Sequence, residues 1–233
     1  MLIQHLEKLT LLDFPGRVAA VVFTYGCNLR CPYCHNPELV TQGVKEDLLL
    51  SENDVISFLQ TRRNVLDGLV ITGGEPTVHK DLIAFIRKVK KVLPNLQIKL
   101  DTNGTFPEKV AQIIEEGLVD YWAMDIKYAE ELYQQGLNGG MKAMHIKESI
   151  EMIKNSGTEF EFRTTVMKGL HDSEVMKKIG LLIKGSPVYY IQNFRAGKSI
   201  DPTLDSSKSY TSQELNEFAE IVGKYVDRVE IRN

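Results

Sequence analysis

All three cysteines of the chain fall in one stretch, Tyr25-Gly26-Cys27-Asn28-Leu29-Arg30-Cys31-Pro32-Tyr33-Cys34-His35-Asn36. Their spacing is Cys27-x3-Cys31-x2-Cys34, directly after the apolar run Val18–Phe23. Thiolates this close together, on a loop that follows a strand, suit a metal ion or an iron–sulfur cluster. A structural zinc site asks for four protein ligands, and a ferredoxin-type cubane asks for four thiolates. This chain offers three cysteines. A four-iron cluster held by Cys27, Cys31 and Cys34 keeps one iron open to a small molecule. His35 would make a Cys3His zinc site, although the side chains of neighbours such as Cys34 and His35 diverge. Tyr33, between two of the cysteines, suits packing along a bound planar group.

Further candidates lie at the ends of other apolar runs. Gly73-Gly74-Glu75-Pro76 follows Leu69–Thr72. Its glycines permit a tight turn and close backbone approach, and Glu75 can accept from an ammonium group. Asp101-Thr102-Asn103-Gly104 ends the run Leu96–Asp101. Asn103 can bind ribose hydroxyls, and Asp101 can accept from a donor or hold a cation. A plain turn with a helix cap explains the same residues. Asp125-Ile126-Lys127 sets an acid and a base two residues apart, on one face of a strand. Arg163 and Thr165 share a face of the run Glu159–Val166; for Arg163 an ion pair with Glu161 or Asp125 is an equal reading. His5, His79, His145 and His171 are scattered and read as surface or capping residues, and Trp122 reads as core.

The elements that must position these residues alternate. Strands are expected at Val18–Phe23, Leu69–Thr72, Leu96–Asp101, Tyr121–Lys127, Glu159–Val166 and Val188–Gln192, with a short closing strand at Val229–Ile231. Helices are expected from the Ser51 cap to about Arg63, from Asp81 to Val92, from Pro107 to about Glu116, near Met144–Asn155, from Asp172 to Ile183, and from Thr211 or Ser212 to about Val222. A looser region holds Gly136, Gly139 and Gly140. Strand and helix alternating six times predict an α/β fold of parallel strands with right-handed crossovers. Six units are too few for an eight-unit barrel, so the expectation is an open partial (β/α)6 barrel.

Strand alternation predicts what that barrel holds. Glu159, Glu161, Arg163 and Thr165 oppose Phe160, Phe162 and Val166. Asp125 and Lys127 oppose Trp122, Met124 and Ile126; Gln97, Lys99 and Asp101 oppose Leu96, Ile98 and Leu100. The apolar faces must meet the helices, so the concave side is charged. Inward charges need partners or water, which implies a solvated cavity for a polar ligand.

The chain's 233 residues are 43% hydrophobic and 25% charged, with no linker-like break. That reads as one domain, 1–233. A net charge of −3 gives no nucleic-acid footprint. No apolar run approaches the roughly 20 residues of a membrane span. No signal peptide is read at Met1–Thr10, and clustered, odd-numbered cysteines fit a reducing cytoplasm rather than a disulfide scaffold.

Cys-x3-Cys-x2-Cys with Tyr33 before the last cysteine resembles the signature of the radical S-adenosylmethionine (SAM) superfamily. The continuation Cys34-His35-Asn36, with Leu11-Leu12-Asp13-Phe14-Pro15-Gly16 upstream, resembles the activating enzymes of glycyl-radical proteins. Among these the chain is most similar to the activase of anaerobic ribonucleoside-triphosphate reductase, from about Leu9 to about Arg195. The resemblance implies a [4Fe-4S] cluster on the three cysteines and SAM on its open iron. It also implies SAM contacts from Gly73, Gly74, Glu75, Asp101, Asn103, Asp125, Lys127, Arg163 and Thr165, with Lys127 facing the SAM carboxylate. It implies a glycyl-radical protein partner and a one-electron donor such as flavodoxin or ferredoxin. Gln192-Asn193-Phe194-Arg195 departs from the pyruvate formate-lyase activases, where a His follows an aromatic, so no adenine contact is assigned there. The remaining readings are an activase of another glycyl-radical enzyme, a small-molecule radical SAM enzyme such as the deazaguanine-forming ring contractase, and a non-catalytic zinc module. The ring contractase shares Gly-Gly-Glu-Pro but carries Asp-Thr where this chain has His35-Asn36.

Overall fold

The computed structural model describes residues 1–41, 43, 46–129, 133 and 143–232. The region of Gly136, Gly139 and Gly140 lies outside the described residues. The strands are β1 (Ile3–Thr10), β2 (Ala19–Thr24), β3 (Gly68–Gly73), β4 (Gln97–Thr102), β5 (Tyr121–Asp125), β6 (Glu159–Val166), β7 (Tyr189–Asn193) and β8 (Val229–Arg232). They form one sheet in chain order. Every pair from β2 to β8 is parallel, and β1 joins β2 antiparallel. The helices are α1 (Glu52–Thr61), α2 (Leu82–Val92), α3 (Pro107–Glu115), α4 (Ala143–Lys154), α5 (Ser173–Leu182) and α6 (Ser212–Val222). The alternating core of the fold is therefore the one the sequence predicts, extended by an antiparallel edge strand that it does not.

Local chemistry starts the helices. Ser51 and Asp54 form a reciprocal capping box on α1, Thr211 and Glu214 form another on α6, and Asp172 caps α5 through the Val175 amide. Asp81 stands at the N-cap of α2 but makes no side-chain cap bond; its carboxylate meets the Met1 nitrogen instead.

The sheet is curled. β2 and β6 stand four strand spacings apart, about 19 Å along a flat sheet. Arg17, just before β2, nevertheless reaches Glu159 at the start of β6 (2.9 Å) and the Gln97 side chain at the start of β4. The two faces differ as alternation requires. Ala20, Val22, Ile71, Leu100, Trp122 and Phe162 join the large core beneath the helices. Ala19, Val21, Val70 and Tyr121 face inward and pack around Phe14 in a second cluster. Phe14 is fully buried, and a Cβ on Gly68 would stand 2.6 Å from its ring, so Gly68 makes room for this plug. The plug closes the end of the barrel where the parallel strands begin. Above it the concave face is charged.

Candidate active site

The charged lumen is a chain of ion pairs. Lys99 Nζ lies 2.6 Å from Asp101. Arg163 spans Asp101 (Nη2, 3.0 Å) and Asp125 (Nε, 2.5 Å), and Asp125 also holds Lys127 Nζ at 2.8 Å. Deeper, Glu161 takes both terminal nitrogens of Arg232, at 3.1 and 3.2 Å, and the Tyr121 hydroxyl at 2.9 Å. Lys99, Asp125 and Arg163 are thus on the concave side, as alternation predicts, and the ion-pair reading of Arg163 is realised. Burial alone would raise Asp101 and Asp125, but the Arg163 charge, with Lys99 beside Asp101 and Lys127 beside Asp125, lowers Asp101 and holds Asp125 well below the usual carboxylate range. Burial would lower Lys127, but Asp125 and the Cys31 sulfur keep its pKa above the ordinary lysine value.

At the strand ends above this network lies a cavity of about 200 Å³. Cys27, Cys31, Tyr33 and Cys34 line it from the β2 loop, and Gly73, Gly74 and Glu75 from the β3 turn. Asp101 and Asn103 line it from β4 and the turn after it, Asp125 and Lys127 from the end of β5 and just beyond, and Arg163 and Thr165 from β6. Every site residue named from the sequence therefore borders one cavity, at the strand ends where α/β folds bind ligands. Thr72, Thr102, Asn36 and His35 line it as well.

The loop that carries the cysteines is fastened from several sides. Gly73 and Gly74 allow the β3 turn to zip onto it. Gly74 N donates to Thr24 O at 2.9 Å and Glu75 N to Gly26 O at 2.7 Å. A Cβ on Gly74 would stand 2.0 Å from Gly26 O. The close backbone approach that these glycines permit is therefore made to the cysteine loop itself. Glu75 is 1% exposed, and its carboxylate accepts from the Thr77 amide and hydroxyl, the Thr102 hydroxyl (2.7 Å) and the Asn103 amide (2.6 Å). It ties the β3 turn to the β4 turn.

Tyr33 stands edge-on to Tyr128 and His171, and those two rings stack at 5.8 Å. His171 is neither surface nor cap. It is 1% exposed, its Nδ1 accepts from the Met167 amide (3.1 Å), and its Nε2 lies 3.0 Å from Lys127 O. Trp122 is core, fully buried. His35 stacks on Phe194 at 5.9 Å.

The three thiols are free of disulfides. Among the described residues no three His, Cys, Asp or Glu side chains converge on a point where a single ion would sit. Burial pushes the Cys27 thiol up to about 12, with the nearby Glu75 charge adding to it, and burial also raises Cys31. Thiolates here call for the positive charge of a metal centre. Three sulfurs around the wall of one polar cavity fit a polynuclear cluster with an open coordination position.

Residues 21–182 match the radical SAM superfamily. The chain belongs to that superfamily. Radical SAM enzymes use a [4Fe-4S] cluster and SAM, for which the cysteines and the cavity provide. A Methanocaldococcus jannaschii protein, named provisionally as a glycyl-radical enzyme activating enzyme, is 33% identical over 99% of this chain and 95% of its own length. The GTP 3′,8-cyclase of Aquifex aeolicus is 26% identical over 88% of this chain, which spans 64% of the cyclase. The pyruvate formate-lyase-activating enzyme of Clostridium pasteurianum is 26% identical over 78% of this chain and 76% of its own. In fold, this radical SAM chain is similar to Streptococcus suis SuiB, solved with SAM bound (TM-score 0.66, 13% identity, 91% of this chain and 52% of that one). It is also similar to the methyltransferase TsrM of Kitasatospora setae, solved with a [4Fe-4S] cluster (TM-score 0.56, 10% identity, 76% and 37%). Among the described residues no helix is long and apolar enough to cross a membrane.

Sequence reading missed Asn28, Thr105 and Arg232. Asn28 carries its signal only in standing between two cysteines, and Arg232 meets Glu161 across 71 positions of chain.

Proposed function

We propose that this radical SAM enzyme activates a glycyl-radical protein, with anaerobic ribonucleoside-triphosphate reductase as the partner. Cys27, Cys31 and Cys34 hold the cluster, and the polar wall of the cavity holds SAM. Once bound, the pair would supply the chemistry, which is one-electron reductive cleavage of SAM, fed by a donor such as flavodoxin or ferredoxin, coupled to removal of a hydrogen atom from a glycine α-carbon of the partner. The chain's own residues bind and orient. Lys127 offers its ammonium to the SAM carboxylate while Asp125 keeps it in place. Asp101 and Arg163 fix the lumen charge beneath the ligand. The ion-paired lumen needs no side chain acting as acid, base or nucleophile.

The observation that carries this reading is the gathering of all the named residues around one cavity. Similarity along 99% of the chain to the Methanocaldococcus protein supports the activase class. Cys34-His35-Asn36 and the Leu11–Gly16 segment support the activase class as well, and the resemblance from about Leu9 to about Arg195 supports the reductase as partner. The cyclase similarity favours a small-molecule substrate as second reading, and the shorter span over that enzyme weighs against it. The test is anaerobic reconstitution with iron and sulfide, then reduction and EPR with and without SAM. A four-iron signal that shifts with SAM, followed by a glycyl-radical signal on the added reductase, is the expected result. Zinc without iron, or a cluster indifferent to SAM, overturns it. Turnover of a purine nucleotide without any protein radical supports the second reading instead.

A further inference from the structure

Asn28 follows Cys27 in the loop, and its side chain closes a ring with two residues beyond β4. Its Nδ2 donates to Thr105 Oγ1 at 2.9 Å. The Thr105 hydroxyl donates to Asn103 Oδ1 at 2.7 Å. Asn103 Nδ2 donates back to Asn28 Oδ1 at 3.0 Å. Each member gives one hydrogen bond and takes one, so the ring has a single direction. The Thr105 amide also donates to Asn103 Oδ1, at 3.1 Å, and the Asn103 backbone amide is held by Glu75 at 2.6 Å. Asn103 and Thr105 are 4% and 5% exposed, so the bonds between them form away from water, while the two bonds to half-buried Asn28 are partly shielded.

The ring fixes the Asn103 amide plane, and the Asn103 Nδ2 group then stands 4.0 Å from Cys27 Sγ. The Leu29 amide approaches the same sulfur at 3.3 Å. Cys27 thus receives N–H groups from its own loop and from the β4 turn. With its oxygen accepting twice and its nitrogen shared between Asn28 and the sulfur, Asn103 is committed to the cysteine loop.

We propose that Asn28 is a positioning residue for Cys27, acting through Asn103 and Thr105, and that this ring sets the reduction potential of the centre held by Cys27. This rests on the cysteines holding the cluster. Reduction adds negative charge that spreads onto the ligand sulfurs. An N–H group aimed at a sulfur stabilises the reduced state more than the oxidised one and raises the potential. Losing the aim lowers it. SAM cleavage needs the reduced state, so the ring governs how much enzyme a given donor can prime.

The test is a redox titration followed by EPR on the reconstituted wild-type chain and on Asn28→Ala, Asn103→Ala and the double variant. Each single variant should bind as much iron as wild type yet lose up to about tenfold in the reduced-to-oxidised ratio at fixed potential, about 59 mV for one electron. The double variant should shift no further than either single variant, because the ring acts as a unit. Thr105→Val carries the same prediction at unchanged shape and covers the case of an Asn28→Ala chain that does not fold, and Thr105→Ser should restore the wild-type potential. A fully assembled cluster with unmoved potential in Asn28→Ala, or in Thr105→Val, overturns this inference alone. A wild-type chain that assembles no cluster overturns the proposed function with it.

Discussion

The guanidinium of Arg163 meets the carboxylate of Asp125 across neighbouring strands, Nε to Oδ1 at 2.5 Å. The two residues are register partners in β5 and β6, so sheet pairing itself brings them together. Arg163 also separates Asp125 from Asp101. Arg163→Met should leave the buried Asp101 and half-buried Asp125 carboxylates facing one another and cost about 1–3 kcal/mol, less than a fully buried pair deprived of one partner. Arg163→Lys should recover only part of that, because an ammonium cannot fork between two carboxylates. Urea unfolding of the cluster-free protein measures both, and equal stability of all three chains would show that water already screens the network.

This network was legible in the sequence because strand alternation is a strict rule. Charged residues at Lys99 and Asp101, at Asp125 and Lys127, and at Glu161 and Arg163 can only share a face. What was hidden depends on the third dimension. β1 is an edge strand with most of its residues exposed or half-buried, so its apolar pattern is thin. Phe14 stands in the sequence only as one residue of the Leu11–Gly16 segment, yet the curl of the sheet makes it the floor of the barrel. His171 reads as an isolated histidine, yet its ring is enclosed between Met167, Lys127 and Tyr128. Asp81 reads as a cap, but a stronger cationic partner takes its carboxylate.

Glu75→Gln should weaken the site without changing its shape. The carboxylate accepts from four groups, two of them backbone amides of Thr77 and Asn103. A glutamine turns one of its ends into a donor, which then faces another donor. An unmatched buried donor costs about 1–3 kcal/mol. Thermal unfolding of the cluster-free chain should register that loss, and SAM affinity of the reconstituted chain should fall with it. If affinity falls and stability does not, Glu75 acts on the ligand rather than as a tie between turns.

Stability should fall as pH drops below about 6.5, with His171 as one source. Burial lowers the folded pKa of His171 from its ordinary 6.5, and a protonated ring could not accept from the Met167 amide. The sign follows from that direction: the contribution is whole above 6.5 and is lost as pH falls towards the folded value. The slope from this one group reaches at most about 1.4 kcal/mol per pH unit. Urea midpoints between pH 8 and 5 (about 1.5 units either side of that pKa) should decline in wild type and flatten in His171→Gln. A decline equal in both chains would assign it to other groups, since burial lowers His79 and His35 as well.

Gly74→Ala should abolish the site rather than weaken it. The added Cβ would stand 2.0 Å from Gly26 O and 2.6 Å from Gly26 C, both backbone atoms with no rotamer to yield. The strain can be relieved only by parting the β3 turn from the cysteine loop. That breaks the Gly74-to-Thr24 and Glu75-to-Gly26 hydrogen bonds. The loop would lose its support one residue before Cys27, so reconstitution should yield little bound iron even where circular dichroism reports a folded sheet. Gly16→Ala is the contrasting case, because nothing lies within 4 Å of its added Cβ. Its positive φ of 70° costs about 1 kcal/mol, and its iron content should match wild type. Equal iron loss in both variants would mean that backbone strain anywhere near β2, and not the contact with Gly26, controls the cysteine loop.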